Sequence, residues 1–321
     1  MKLKDLYKQA VRKGLDADPR PQTAIRRYVK KIKANSDDVK GSDLGIFDKE
    51  ALENPYYDTR ILYGKPDTEI KKILIGIDID VSELLLADRL REKGESIDLV
   101  ISHHPSGRAL AGLYKVMDMQ PDIWELYGLS REVASGIMRE RINEVSRGLS
   151  PANHGRAVSA ARLLDIPFMC IHTPADNCVT SYLQNIFDKK KPVSLQNALH
   201  ILGGIAEYKN AREAGTGPFI LIGDKKNKAG RIFVDMTGGT SGPDKMFGRL
   251  SQSGVKTIIG MHCKETSYKA ARAEFINYII AGHIASDTLG MNLLFDHIEK
   301  KEKLEFIECS GFKRIRRNKR S

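Results

Sequence analysis

The chain has 321 residues, 41% of them hydrophobic and 29% charged, which matches globular averages, excludes wholesale disorder and allows one large domain or two ordinary ones. No apolar run reaches the roughly 18 residues that a membrane span needs, and the N-terminal stretch lacks a signal-peptide core, so the expectation is a cytoplasmic protein with no membrane partner. The net charge of +11 lies at the ends: residues 1–40 carry +7 and Lys313–Ser321 carry +6, leaving −2 for the body, which speaks against a nucleic-acid-binding body but leaves two basic ends able to attract phosphates by counterion release.

Residues 1–55 read as a basic helical extension. Leu6, Ala10, Val11 and Leu15 mark one short amphipathic helix, Thr23–Lys33 a second and very basic one, and Asn35–Ser42 a polar loop. Strands and helices then alternate. Ile73–Ile79 is an apolar, β-branched strand, followed by a helix over Ser82–Lys93 that Gly94 stops, and a strand over Ile97–Ser102. Ile123–Arg147 reads as helical with a break at Gly128, and Asn153 caps a helix to Leu164. Strands follow at Ile166–Ile171, Phe219–Ile222, Arg231–Val234, Val255–Ile259 and Tyr278–Ala281. A helix over Ser267–Phe275 separates the last two, and a final helix spans Ile284–Glu299. This alternation predicts an α/β fold, a mostly parallel sheet flanked by helices. No repeat of fixed period is visible, although two α/β halves fit the order of elements.

Three strand ends carry the chemistry. The first runs from the strand into Ser102, His103, His104 and Pro105, placing two imidazoles where open α/β sheets bind ligands. The second is His172 with Asp176 four residues on. Pro174 between them points to a loop. The third is Gly282, His283 and Asp287, which share a helix face if the last helix begins at His283. Each feature alone is weak. Together they form a nitrogen and carboxylate set without thiolate, suited to Zn, Fe or Mn, and too large for one four-coordinate ion. Two divalent ions sharing a carboxylate fit better. The cysteines, Cys170, Cys178, Cys263 and Cys309, follow no zinc-finger spacing.

Other residues carry softer signals. Asp78 and Asp80 end the first strand and are equally a strand-end turn or the partners that orient ligand histidines. The loop Thr237, Gly238, Gly239, Thr240, Ser241, Gly242 could cradle a phosphate on its amides, with Lys264 nearby, although a glycine-rich turn alone is a weak sign. His262 and Cys263 end another strand and could face the same cavity. His154, His200, His297 and Trp124 read as structural.

The segments YYDTRILYGKP, IGIDID, SHHP, HTPAD and AGHIASDTLGMNLL, spread from about Tyr57 to Ile298, resemble the NIF-three-like (NGG-interacting factor three) family, some members of which are labelled GTP cyclohydrolase I type 2. The resemblance implies two similar α/β lobes with sheets flanked by helices, a dinuclear metal centre at strand carboxyl ends between them, and a ring-shaped homohexamer. It divides the chain into an extension (1–55), the metal-binding domain (56–300) and a C-terminal segment with a basic tail (301–321). Position by position it makes His103, His104, Asp176, His283 and Asp287 the metal ligands, with Asp176 bridging and His172 an extra ligand or a group behind the ligands. Asp287 stands where the family usually has glutamate, one methylene longer. The implied activity is a hydrolase that uses a metal-bridging hydroxide on a nucleotide or another phosphorylated small molecule, with GTP ring opening resting on the resemblance alone. The alternatives are a non-enzymatic ring that binds nucleic acid or a protein partner, and a metal chaperone.

Overall fold

The computed structural model describes residues 1–38 and 48–317. In chain order the first elements are α1 (Leu3–Asp16), α2 (Gln22–Asp38), β1 (Arg60–Tyr63), β2 (Lys72–Gly76), α3 (Val81–Glu92) and β3 (Leu99–Ser102). Next come α4 (Gly107–Ala111), α5 (Leu113–Val116), α6 (Gln120–Glu125), α7 (Arg131–Leu149), α8 (Arg156–Leu163), β4 (Phe168–Cys170) and α9 (Thr173–Lys190). The remainder is α10 (Leu195–Gly203), α11 (Ala206–Glu213), β5 (Phe219–Ile222), β6 (Arg231–Asp235), α12 (Met246–Gln252), β7 (Val255–Gly260), α13 (Glu265–Ala273), β8 (Asn277–Ile280), α14 (His283–Ile298) and β9 (Glu305–Glu308). No helix of the described residues is long and apolar enough to cross a membrane.

The strands form two sheets, ordered β1-β4-β3-β2-β9 and β5-β8-β7-β6. In each, a short antiparallel edge strand (β1, β5) pairs with the strand (β4, β8) that precedes a histidine, and the other pairings are parallel. The unit is thus repeated. Asp165 and Phe275 both adopt positive φ just before β4 and β8, and each of those strands runs into a helix whose start carries His-x-x-x-Asp. The repeat is hidden in the sequence because few residues other than Ala161-Arg162/Ala271-Arg272 and the His/Asp pairs coincide.

Helices α9 and α14 lie between the sheets. Their apolar side chains serve two cores, one with the first sheet (Ala175, Cys178, Met291, Leu294, Phe295) and one with the second (Val179, Leu183, Phe187, Leu289). A helix covered on both sides is apolar nearly all round, as LGMNLLF in α14 is. The outer face of the first sheet is covered by α3 and α8, and that of the second by α5, α6, α7, α12 and α13. Strands covered on both faces lose the two-residue alternation, which is why β3 is buried throughout.

Three expectations change. Pro174 does not hold a loop: α9 starts at Thr173, with His172 as its N-cap. Proline is tolerated in the first turn, where its missing N–H would have no partner, so His172 and Asp176 end up on one helical turn. The polar loop expected over 35–42 is helical to Asp38, and the rest of it lies outside the described residues. The amphipathic helix near the N-terminus is part of the core, because Leu3, Leu6 and Ala10 of α1 are fully buried against α9 and α14.

The basic tail is also anchored as far as Arg317. Arg314 pairs with Asp296 and Glu299, Arg316 with Glu299, and Arg317 with Glu207, whose side chain is 1% exposed. Removing Arg317 leaves the buried Glu207 carboxylate without its counter-charge, although Asn292 Nδ2 still donates to it at 2.9 Å. Arg317→Ala is therefore expected to lower stability by about 3 kcal/mol, and Glu207→Gln in that background to recover part of the loss, both read from urea unfolding.

Candidate metal centre

Each histidine at the centre is presented by the end of a strand. The backbone amides of His103 and His104 bond to Gly76 O and Ile77 O, continuing the β2–β3 ladder past the strand end, and Ser102 Oγ donates to His104 O at 2.7 Å. His172 follows β4, and Gly282, at φ 108°, turns the chain from β8 into α14 so that His283 opens the helix. Asp176 and Asp287 sit in the first two turns of α9 and α14, which pack on each other.

The rings are aimed by groups behind them. His103 Nδ1 meets Ile171 O at 3.0 Å, a contact only an N–H can make, so in the neutral ring the lone pair is on Nε2. His104 Nδ1 is held by Asp78 at 2.7 Å and His172 Nδ1 by Asp58 at 2.8 Å. All the Nε2 atoms then point at two carboxylates. His103 Nε2 is 3.4 Å from Asp176 Oδ1 and 3.5 Å from Asp287 Oδ1. His172 Nε2 is 3.8 Å from Asp176 Oδ2. Asp287 Oδ2 lies 3.5 Å from His104 Nε2 and 3.6 Å from His283 Nε2. Asp176 thus spans two imidazoles and Asp287 three.

Four of these atoms are buried without a hydrogen-bond partner: His103 Nε2, Asp176 Oδ1 and both carboxylate oxygens of Asp287. Buried polar atoms are normally paired, because each unpaired one costs about 1–3 kcal/mol and a charged one more. Here they converge on one another. Three overlapping groups (His103, His104 and His172; His104, His283 and Asp287; His103, Asp176 and Asp287) each bring their donor atoms within 4.8 Å. The donor set therefore fits borderline divalent cations. Its electrostatics suit the same charge. Burial disfavours the His103 imidazolium, but Asp287 and Asp176 outweigh it and the pKa rises to about 10. Burial likewise disfavours the Asp287 carboxylate, yet His103 and the neighbouring imidazoles hold it well below the usual range.

The centre opens on a cavity of about 320 Å³. Thr237, Gly239, Thr240, Ser241, Gly242 and Lys264 line it together with His104, His172, Asp176, His283 and Asp287. Gly238 is turned away, its carbonyl accepting from the buried Gln120 at 2.7 Å, and Lys264 is 3.4 Å from Asp244. His262 also faces the cavity, its ring edge-on to His283 at 4.9 Å. Asp78 and Asp80 part company: Asp78 supports His104, whereas Asp80 caps α3 in a capping box with Glu83 and pairs with Arg156. His154, His200 and His297 belong to none of the three groups.

The fold matches solved structures. A NIF3 superfamily protein from Sphaerobacter thermophilus is 27% identical and superposes with a TM-score of 0.69 over 80% of this chain and 92% of the other. The chain has the NIF3-like fold and resembles that family. Reduced HcgD from Methanocaldococcus jannaschii (14% identity, 77% and 87% covered, TM-score 0.49) and the protein ybgI (14%, 91% and 98%, 0.47) are further structural matches to this chain. No family model matches the chain, and no curated protein does. Sequence reading missed Asp58, which is fully buried and accepts from both His172 and Thr173 Oγ1, the latter at 2.6 Å. It lies 114 residues before its partner, and no spacing rule links them.

Proposed function

We propose that this protein is a hydrolase that uses two divalent ions, Zn, Fe or Mn, on a nucleotide or another phosphorylated small molecule. The observation that carries this reading is the set of buried, unpartnered polar atoms on His103, Asp176 and Asp287, converging from both sheets. In this reading His103, His172 and Asp176 would hold one ion and His104, His283 and Asp287 the other. Asp58, Asp78 and Ile171 O fix the ring orientations, which keeps each Nε2 lone pair pointed inward. When bound, the ions supply Lewis acidity that activates water and polarises the scissile bond.

The chain's own groups do the rest. Thr237, Gly239, Thr240, Ser241 and Gly242 of one loop line the cavity, and Gln120, reaching Gly238 O and Thr240 O, fixes the loop's shape. A phosphate between this loop and Lys264 would stand opposite the His/Asp cluster. Leu110, Leu113 and Phe247 give the cavity an apolar wall.

Elemental analysis of purified protein beside His103→Ala/His104→Ala is the first test. About two ions per chain are expected, falling sharply in the variant, together with metal-dependent release of phosphate from simple monoesters. Protein that took up no metal after anaerobic reconstitution with Fe, Mn and Zn would overturn the reading.

A further inference from the structure

Asp235 ends β6 and lines the same cavity as His104, Asp176, His283 and Asp287, yet it belongs to none of the groups whose donor atoms could share an ion. Among the described residues its carboxyl has no hydrogen-bond or ion-pair partner. Met236, Phe247 and Met261, all buried, line the cavity with it, and the hydroxyl of the neighbouring Tyr278 donates to His262 O at 3.2 Å. The Asp235 side chain is half-buried, and a lone carboxyl beside apolar side chains, facing a cavity that also holds the His/Asp cluster, is placed to meet a ligand group.

We propose that Asp235 is the proton donor to the leaving group of the substrate hydrolysed in this cavity. The proposal rests on the hydrolase reading and adds a residue to it. Water attacks phosphorus, the bond to the leaving oxygen breaks with its electron pair going to that oxygen, and the Asp235 carboxyl proton moves onto it. The products are an alcohol or phenol and inorganic phosphate, and the carboxylate regains a proton from solvent. The carboxyl is suited to this because burial alone raises its pKa to about 6, so about a tenth of the molecules hold the proton at pH 7 and half at pH 6.

The groups facing Asp235 from the neighbouring elements do not compete. Burial first, then Asp235 among the nearby acids, pushes up the Cys263 thiol beyond β7, to about 11, and the Tyr278 phenol on β8. Tyr127, which follows α6, is raised as well, by burial first and then by Asp188 of α9 and Asp235. All three stay neutral near pH 6. Lys264, the cation in the cavity wall, is engaged by Asp244.

The test compares phenyl phosphate, whose leaving group needs a proton, with dinitrophenyl phosphate, whose leaving group does not, in the metal-loaded protein. Asp235→Asn, which keeps the side-chain shape, is expected to lose about 100-fold or more in kcat on the first ester and to change little on the second. The fall in rate above pH 6 should vanish with it. A readout independent of turnover is the infrared band of a protonated carboxyl in metal-free protein, expected to titrate near pH 6 and to be missing in Asp235→Asn. Equal losses on both esters, or no such band, would overturn the assignment of Asp235 and leave the hydrolase reading standing. A wild type that hydrolyses neither ester with any metal would overturn both.

Discussion

Replacing Gly290 with alanine should destabilise the protein by about 3 kcal/mol or more and disrupt metal uptake, although alanine is the better helix former by about 1 kcal/mol. A Cβ at Gly290 would lie 2.4 Å from Ala175 O and 2.9 Å from Ala175 C, both backbone atoms of α9. Backbone cannot rotate aside as the tip of a side chain can, so the two helices must move apart. Asp176 follows Ala175 directly, and Asp287 is one turn before Gly290 on the same helix. Any separation that admits the methyl group therefore also separates the two carboxylates that face the imidazoles at 3.4–3.8 Å. The unfolding midpoint in urea and the metal stoichiometry check the two halves of this result. A variant of wild-type stability holding its full metal complement would show that the α9–α14 crossing does not set the centre.

The sequence exposes the centre better than its supports. His103, His104, His172 and His283 are legible because each follows an apolar strand, and the end of a strand is fixed by local pattern. Asp287 is legible once α14 is placed, because positions four apart share a helix face. The supports depend on tertiary proximity. Asp58 reaches His172 across β1 and β4, and Ile171 O reaches His103 across β3 and β4. Pro174 misleads because a proline in the first turn of a helix resembles a loop proline until the N-cap is known. α1 looks like an extension because its sequence is strongly charged, while its few apolar residues fall on one stripe that the core covers. β1 and β9 are four residues each and only partly buried, too short for a periodic signal.

Asp287→Asn is expected to weaken metal binding by about 100-fold or more, about 2.8 kcal/mol or more at about 1.4 kcal/mol per tenfold, and more than Asp58→Asn, for which about 10- to 100-fold is expected. The substitution keeps the shape of a side chain that is 1% exposed, so packing changes little. It removes the charge that faces three imidazoles and turns one acceptor into an N–H₂. Loss of the Asp287 charge also removes the first cause that keeps His103 protonated, so the amide donor faces the Nε2 of a less basic His103 on one side or those of His104 and His283 on the other. The amide would then bind the imidazoles a metal needs, so the metal-free form gains a hydrogen bond while the metal-bound form loses a ligand. Asp58→Asn acts differently, because an asparagine oxygen can still accept from His172 Nδ1 and only the orienting charge is lost. Zinc titration against a chelator of known affinity ranks the two variants. If Asp287→Asn binds as tightly as the wild type, Asp287 is no ligand, and the shorter side chain at this position has withdrawn from the metal.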